Sequence, residues 1–237
     1  MLDLRANLGR VQEAVARACA RAGRSPDHVL LIAVSKTMDV ERVRLAIAAG
    51  VAALGENRVQ EAKEKIEALG RPVPWHLIGS LQTNKAKDAA RLFDWIHSVD
   101  RLELAQELSR RAHGGGRRLN VLLQVNLGDE PQKGGVAPAE LKRLHDAVVG
   151  LPGLAVRGLM AIPPATEQAE QARPYFRRLR ELRDELGLEH CSMGMSADYE
   201  VAIEEGATMV RVGTAIFGAR APHGVSPHPG GGQERTR

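Results

Sequence analysis

Apolar residues at Leu4, Leu8, Val11, Val15 and Ala18 recur three and four positions apart, the spacing of one helix face, and predict an amphipathic helix ending near Gly23. A continuous apolar run, VLLIAVS at 29–35, follows between Ser25-Pro26-Asp27 and a polar turn, and reads as a buried strand. The next helix fits 39–49 and closes on Gly50. The same alternation then repeats. Short apolar runs at 51–55, 75–79, 95–99, 119–125, 154–160, 190–194 and 208–213 are separated by helical patterns, such as Val59, Ala62, Ile66 and Leu69, or Phe176, Leu179 and Leu182.

Eight strands alternating with helices, with no interruption long enough for a second domain, predict an α/β fold: a single (β/α)₈ TIM barrel with an extra N-terminal helix. An open doubly wound sheet is the alternative. The barrel is expected to occupy 1–220, and the Pro- and Gly-rich segment 221–237, without periodic apolar positions, reads as a disordered tail.

Composition narrows the functional classes. With 43% hydrophobic and 26% charged residues, the 237-residue chain can bury a large core, so collagen, disorder and disulfide scaffolds are excluded. Its two cysteines, Cys19 and Cys191, sit in apolar segments and suggest unpaired thiols in a reducing cytoplasm. Charges interrupt the N-terminal segment where a signal peptide would be apolar, and no stretch is long enough to span a bilayer, so no membrane role is expected. The net charge of +4 comes from basic residues interleaved with acids, and 3% aromatics is too few for stacking platforms, so nucleic acid is not an expected partner.

In a barrel the strands' C-terminal ends carry function. Here those ends hold Lys36, Glu56, Asn57, Gly79, Ser80, Ser98, Asp100, Gln124, Asn126, Ser196, Arg211, Gly213 and Thr214. Lys36 follows five apolar residues, which would place its amine at the mouth, partly desolvated and near Arg211, as a nucleophile toward an aldehyde. Position alone favours a solvated lysine that opens a loop. Gly213 and Thr214 offer backbone amides and a helical turn to a phosphate, although an ordinary glycine turn fits the same residues. Ser196 adds a hydroxyl to that corner, and also reads as the cap of a helix from Ala197.

The motifs AVSKT (33–37), GENRVQEAKEK (55–65), WHLIGSLQTNK (75–85), HSVD (97–100), KGG (133–135), RGLMAI (157–162) and MGMSADYEVAIEEGATMVRVGTAIFG (193–218) are more specific in their order and spacing. From about Val29 to Arg220 the chain resembles the pyridoxal 5′-phosphate homeostasis protein family, barrels similar to the N-terminal domain of alanine racemase. The resemblance implies that Lys36 forms a Schiff base with pyridoxal 5′-phosphate, that Ser196, Gly213 and Thr214 hold its phosphate, and that Arg211 faces the pyridine nitrogen. It puts Asn57 near the ring and makes Met160 and Met195 apolar neighbours. His76, Gln82 and Asn84 match the third-strand block, without an implied chemical role. Ala207 departs from a common serine and Leu77 from a bulkier residue.

An arginine is always protonated, so Arg211 would keep the pyridine nitrogen unprotonated and weaken the electron sink. A racemase also needs a second base, brought by a second domain. This chain lacks that domain, and its two tyrosines, Tyr175 and Tyr199, fall in outer helices. The resemblance therefore implies a cytoplasmic cofactor store, buffer or delivery protein without catalytic residues or metal, a monomer with transient contacts to apo-enzymes. A weak amino-acid racemase, an aldolase-type lysine enzyme and a plain scaffold are the alternatives.

Overall fold

The computed structural model describes residues 3–128, 130 and 134–218. Helix α1 (Leu4–Arg21) precedes eight strand-helix units. The strands are β1 (Leu30–Val34), β2 (Ala53–Glu56), β3 (Trp75–Leu77), β4 (Trp95–Val99), β5 (Leu119–Gln124), β6 (Leu154–Met160), β7 (His190–Met195) and β8 (Met209–Val212). Each pairs parallel with the next and β8 returns to β1, which closes the barrel and excludes the open sheet. The helices between them are α2 (Val40–Ala49), α3 (Val59–Leu69), α4 (Ala86–Leu92), α5 (Leu102–Gly114), α6 (Pro138–Val148), α7 (Arg173–Glu185) and α8 (Tyr199–Glu204), and α9 (Thr214–Phe217) follows β8. The expected tail, 221–237, and Lys133 of the KGG motif lie outside the described residues.

Local chemistry accounts for the element ends. The Asp3 carboxylate accepts from the Ala6 N–H at 3.0 Å at the start of α1, and Asp39 from Arg42 at 2.7 Å at the start of α2. Gly50 ends α2 in the left-handed conformation that glycine adopts without a Cβ penalty. The outward face of each strand packs on the helix layer. Phe176, Leu179 and Leu182 of α7 are buried there, each worth roughly 1.5–3 kcal/mol relative to exposure.

The apolar face of α1 closes on the same core. Leu4, Leu8, Val11, Val15 and Ala18 are buried, and the helix packs on α2, α8 and α9. Asn7, also buried, donates from Nδ2 to the Ile216 carbonyl at 2.8 Å. Inside the barrel, Ile32, Ala53, Leu122, Met160 and Met209 form a separate apolar layer, joined by Trp95. No helix among the described residues is long and apolar enough to cross a membrane.

Candidate functional site

Closure of the barrel brings the first and last strands together. Ile32 lies opposite Arg211 and Ala33 opposite Val212, and one step further Val34 packs against Gly213. Leu30, Ile32 and Val34 alternate along β1, and Lys36 follows two residues after the strand, beside the end of β8. Lys36 is half-buried, and its amine makes no hydrogen bond or ion pair among the described residues.

Lys36 sits in a four-residue turn closed by the Met38 N–H donating to the Ser35 carbonyl at 3.0 Å. Thr37 occupies the third position at φ +64°, where glycine or asparagine is usual. A β-branched residue held there stores about 1–3 kcal/mol and persists because its surroundings impose it.

Arg211 is buried inside the barrel. Its Nη1 donates to the Ser192 Oγ at 2.7 Å and its Nη2 to the Ala161 carbonyl at 3.0 Å. No carboxylate among the described residues pairs with it, and burial pushes the guanidinium down to about 10. Asp198, whose carboxyl is raised by burial and accepts from the Met195 N–H at 2.6 Å, opposes that shift through its field without pairing with the guanidinium.

Ser192 continues the chain inward. His97 Nδ1 lies 2.9 Å from the Ser192 Oγ, and His97 Nε2 lies 2.9 Å from His76 Nδ1. Burial brings His76 down to about 3, and burial with the nearby His76 and Arg211 holds His97 well below the usual histidine range. Both rings are neutral at neutral pH. Arg211 donates to the Ser192 Oγ, whose own proton can go to His97 Nδ1, and in that tautomer His97 Nε2–H donates to His76 Nδ1. His76 Nε2 is then left buried without a partner among the described residues.

At the eighth loop, Gly213 caps α9, and its N–H donates to the Ser196 Oγ at 3.2 Å. Ser196 is therefore not the cap of the next helix. That helix starts at Tyr199 with Asp198 in the capping position, and neither it nor Ser196 makes a side-chain cap bond. Thr214 opens α9 at the same corner. Asn57 is half-buried, and its buried Oδ1 has no partner among the described residues. Its loop lies against Gly79, where a Cβ would stand 2.3 Å from the Asn57 carbonyl oxygen. Met160 is buried in the interior layer, whereas Met195 is exposed at the end of β7.

Glu56 departs from the expected ring of mouth residues. Ala53 and Gly55 face the interior, so the pleat turns Glu56 outward beneath α3. There its Oε1 meets the Lys65 Nζ at 2.6 Å and accepts from the Ser35 Oγ at 2.6 Å. Burial pushes this carboxyl up against the pull of Lys65. Ser192, His97 and Lys65 carry the support of the site and had no role in the sequence reading. Strand parity is the signal that places His97 and Ser192 inside.

These residues suit an anionic aromatic aldehyde. A free amine, a buried cation without a carboxylate partner, an orphaned amide oxygen and a hydroxyl-amide corner converge on one end of the barrel. The chain matches the alanine racemase N-terminal domain family over residues 6–221. It is 50% identical over 220 residues to the pyridoxal phosphate homeostasis protein of Aquifex aeolicus, covering 90% of this chain and 96% of that one. The Escherichia coli K12 protein of the same name is 45% identical over 229 residues, with 93% and 98% covered. Among solved structures, PipY of Synechococcus elongatus with pyridoxal phosphate bound superposes with a TM-score of 0.77 at 41% identity, covering 86% of this chain and all of that one. Clostridium difficile alanine racemase, at 19% identity and a TM-score of 0.68, shares the fold over 57% of its length. The chain therefore belongs to the pyridoxal phosphate homeostasis protein family, built on the barrel of the alanine racemase N-terminal domain.

Proposed function

We propose that this protein binds pyridoxal 5′-phosphate and helps to maintain its supply in the cell, by storage, buffering or delivery, without turning over an amino acid. The observation that carries this reading is the Lys36 amine, unpaired among the described residues, beside a strand whose Arg211 is a buried cation with no carboxylate partner among them. The relatives' name and the cofactor bound to PipY support it. When bound, the cofactor supplies an aldehyde that takes up amines and a ring that accepts electrons.

Lys36 would be the attachment point, its amine presented to the cofactor's aldehyde. Ser196, Gly213 and Thr214 hold the phosphate, Asn57 meets the ring, and Met160 and Met195 cover it. Arg211 would meet the pyridine nitrogen as a permanent donor, which would keep that nitrogen unprotonated. Ser192 and the Ala161 carbonyl hold that guanidinium in place.

The racemase alternative lacks a second base. Tyr175 is half-buried on α7, and Tyr199 is buried on α8 among the outer helices. Two free, buried cysteines suit a reducing cytoplasm. Hand-off to apo-enzymes from a monomer completes the reading.

The test is the visible spectrum of the protein with added cofactor, before and after borohydride, for the native chain and Lys36→Ala. A band that borohydride bleaches, with the label mapping to Lys36 and lost in the variant, supports attachment. A colourless native protein ends the reading. Loss of the Cα proton of alanine to deuterated solvent, dependent on Lys36, would return the racemase.

A further inference from the structure

The GENRVQEAKEK segment contributes residues that the cofactor reading leaves without a task. Two of them, Glu61 and Lys65, lie one helical turn apart on one face of α3. Both reach the turn that carries Lys36. The Lys65 Nζ donates to the Ser35 carbonyl at 2.7 Å. The Thr37 N–H donates to the Glu61 Oε2 at 3.0 Å. The Ser35 carbonyl belongs to the peptide unit before the Lys36 Cα, and the Thr37 N–H to the unit after it.

Peptide units are planar, so fixing the two that flank a Cα fixes its φ and ψ and with them the direction of its side chain. From this geometry we propose that Glu61 and Lys65 are positioning residues, a clamp on α3 that aims the Lys36 amine into the barrel mouth. The inference rests on Lys36 being the attachment point.

Three further features fit a clamp. Lys65 is itself locked: Glu56 binds its Nζ at 2.6 Å and also accepts from the Ser35 hydroxyl, so the buried pair grips Ser35 through both backbone and side chain. The ion pair is sealed, with side-chain exposures of 6% for Lys65 and 0% for Glu56, whereas Glu61 is partly open to solvent. Thr37 holds the left-handed conformation that a free turn would abandon, and its N–H is the one Glu61 accepts from. The site's nucleophile thus stands on a short turn whose geometry is dictated by the neighbouring helix.

The full-length protein is titrated with pyridoxal 5′-phosphate, reduced with borohydride and digested to quantify label at Lys36, and thermal unfolding is followed in parallel. Glu61→Leu is expected to weaken Lys36 loading and slow its onset by roughly tenfold, the scale of one hydrogen bond to a charged group, with a cooperative melt retained. Glu61→Gln keeps the acceptor and is expected to recover most of the loss. Glu67→Leu removes the same charge from an exposed position of α3 away from the turn and is expected to load like the native chain. Lys65→Met is made together with Glu56→Gln, so that no buried carboxylate is stranded, and is expected to lose loading as Glu61→Leu does. If the double variant does not fold, Glu61→Leu decides alone. Native-like loading in a folded Glu61→Leu overturns the clamp while leaving Lys36 as attachment point. Failure of the native chain to label at Lys36 overturns both.

Discussion

His76 and His97 share one hydrogen bond inside the barrel, Nδ1 to Nε2 at 2.9 Å, and neither ring bonds a carboxylate among the described residues. One nitrogen must donate and the other accept, so the pair cannot carry two charges and keep its bond. The His76 ring also stacks on Trp95, with centroids 5.6 Å apart and planes 2° from parallel. Burial outweighs the opposing field of Asp94 on His76, and the pair stays neutral.

Acid should therefore unfold this protein through its histidines as well as its carboxylates. In the unfolded chain His76 takes a proton near 6.5, whereas in the fold it resists protonation until about 3. The unfolded state binds more protons across that window, so stability is full above about 6.5 and falls as the pH drops toward 3. Denaturant midpoints measured from pH 7.5 to 4 should show this slope. His76→Leu should lower stability at pH 7.5 through lost packing, and flatten the decline. An unchanged slope in that variant would remove His76 as its source.

The strands, the barrel and the placement of Lys36, Arg211 and Gly213 at one end were legible because apolar runs alternate with helical periods, and strand ends are where a barrel gathers its polar groups. What escaped depends on contacts that only closure creates. His97 and Ser192 are 95 positions apart in sequence. Ser196 serves Gly213, 17 residues away, in place of the adjacent helix, whose start two residues later than expected is set by the turn at Met195–Asp198. Glu56 stands at a strand's C-terminal end like the mouth residues, but the pleat turns it to the opposite face. Its neighbour Gly55 takes the inward place, and Lys65, nine residues on, supplies the charge that makes burial tolerable.

Cys19 and Cys191 should be silent to thiol reagents in the folded protein. Both are fully buried, and neither is paired. Burial raises both thiols, Cys191 to about 12, so the reactive thiolate is scarce at pH 8 and shielded as well. An aromatic disulfide reagent at pH 8 should release nothing within minutes from the native chain and two equivalents in denaturant. Rapid release of a full equivalent without denaturant would mean that α1 or the α7–β7 layer opens far more readily than its packing implies.

Gly213→Ala separates a glycine required by the fold from one required by a ligand. At φ −114° the residue needs no glycine for conformation. A Cβ there would stand 3.4 Å from the Val34 carbonyl oxygen and 3.5 Å from the Val34 Cβ, which is ordinary contact. The unliganded protein should accept alanine with its stability unchanged or raised by up to about 1 kcal/mol, as the variant restricts the unfolded chain. This contrasts with Gly79, where the added carbon would collide with the Asn57 backbone at 2.3 Å and the fold should lose stability. If the amide of Gly213 lies against the cofactor's phosphate, the same methyl intrudes where the anion approaches. Affinity for pyridoxal 5′-phosphate should then fall by roughly tenfold or more, about 1.4 kcal/mol, with the melting temperature of the unliganded protein preserved. Fluorescence titration with the cofactor, paired with a thermal melt in its absence, reads both quantities. Native affinity in Gly213→Ala would move the phosphate away from this corner, and a lowered melt would assign the glycine to packing.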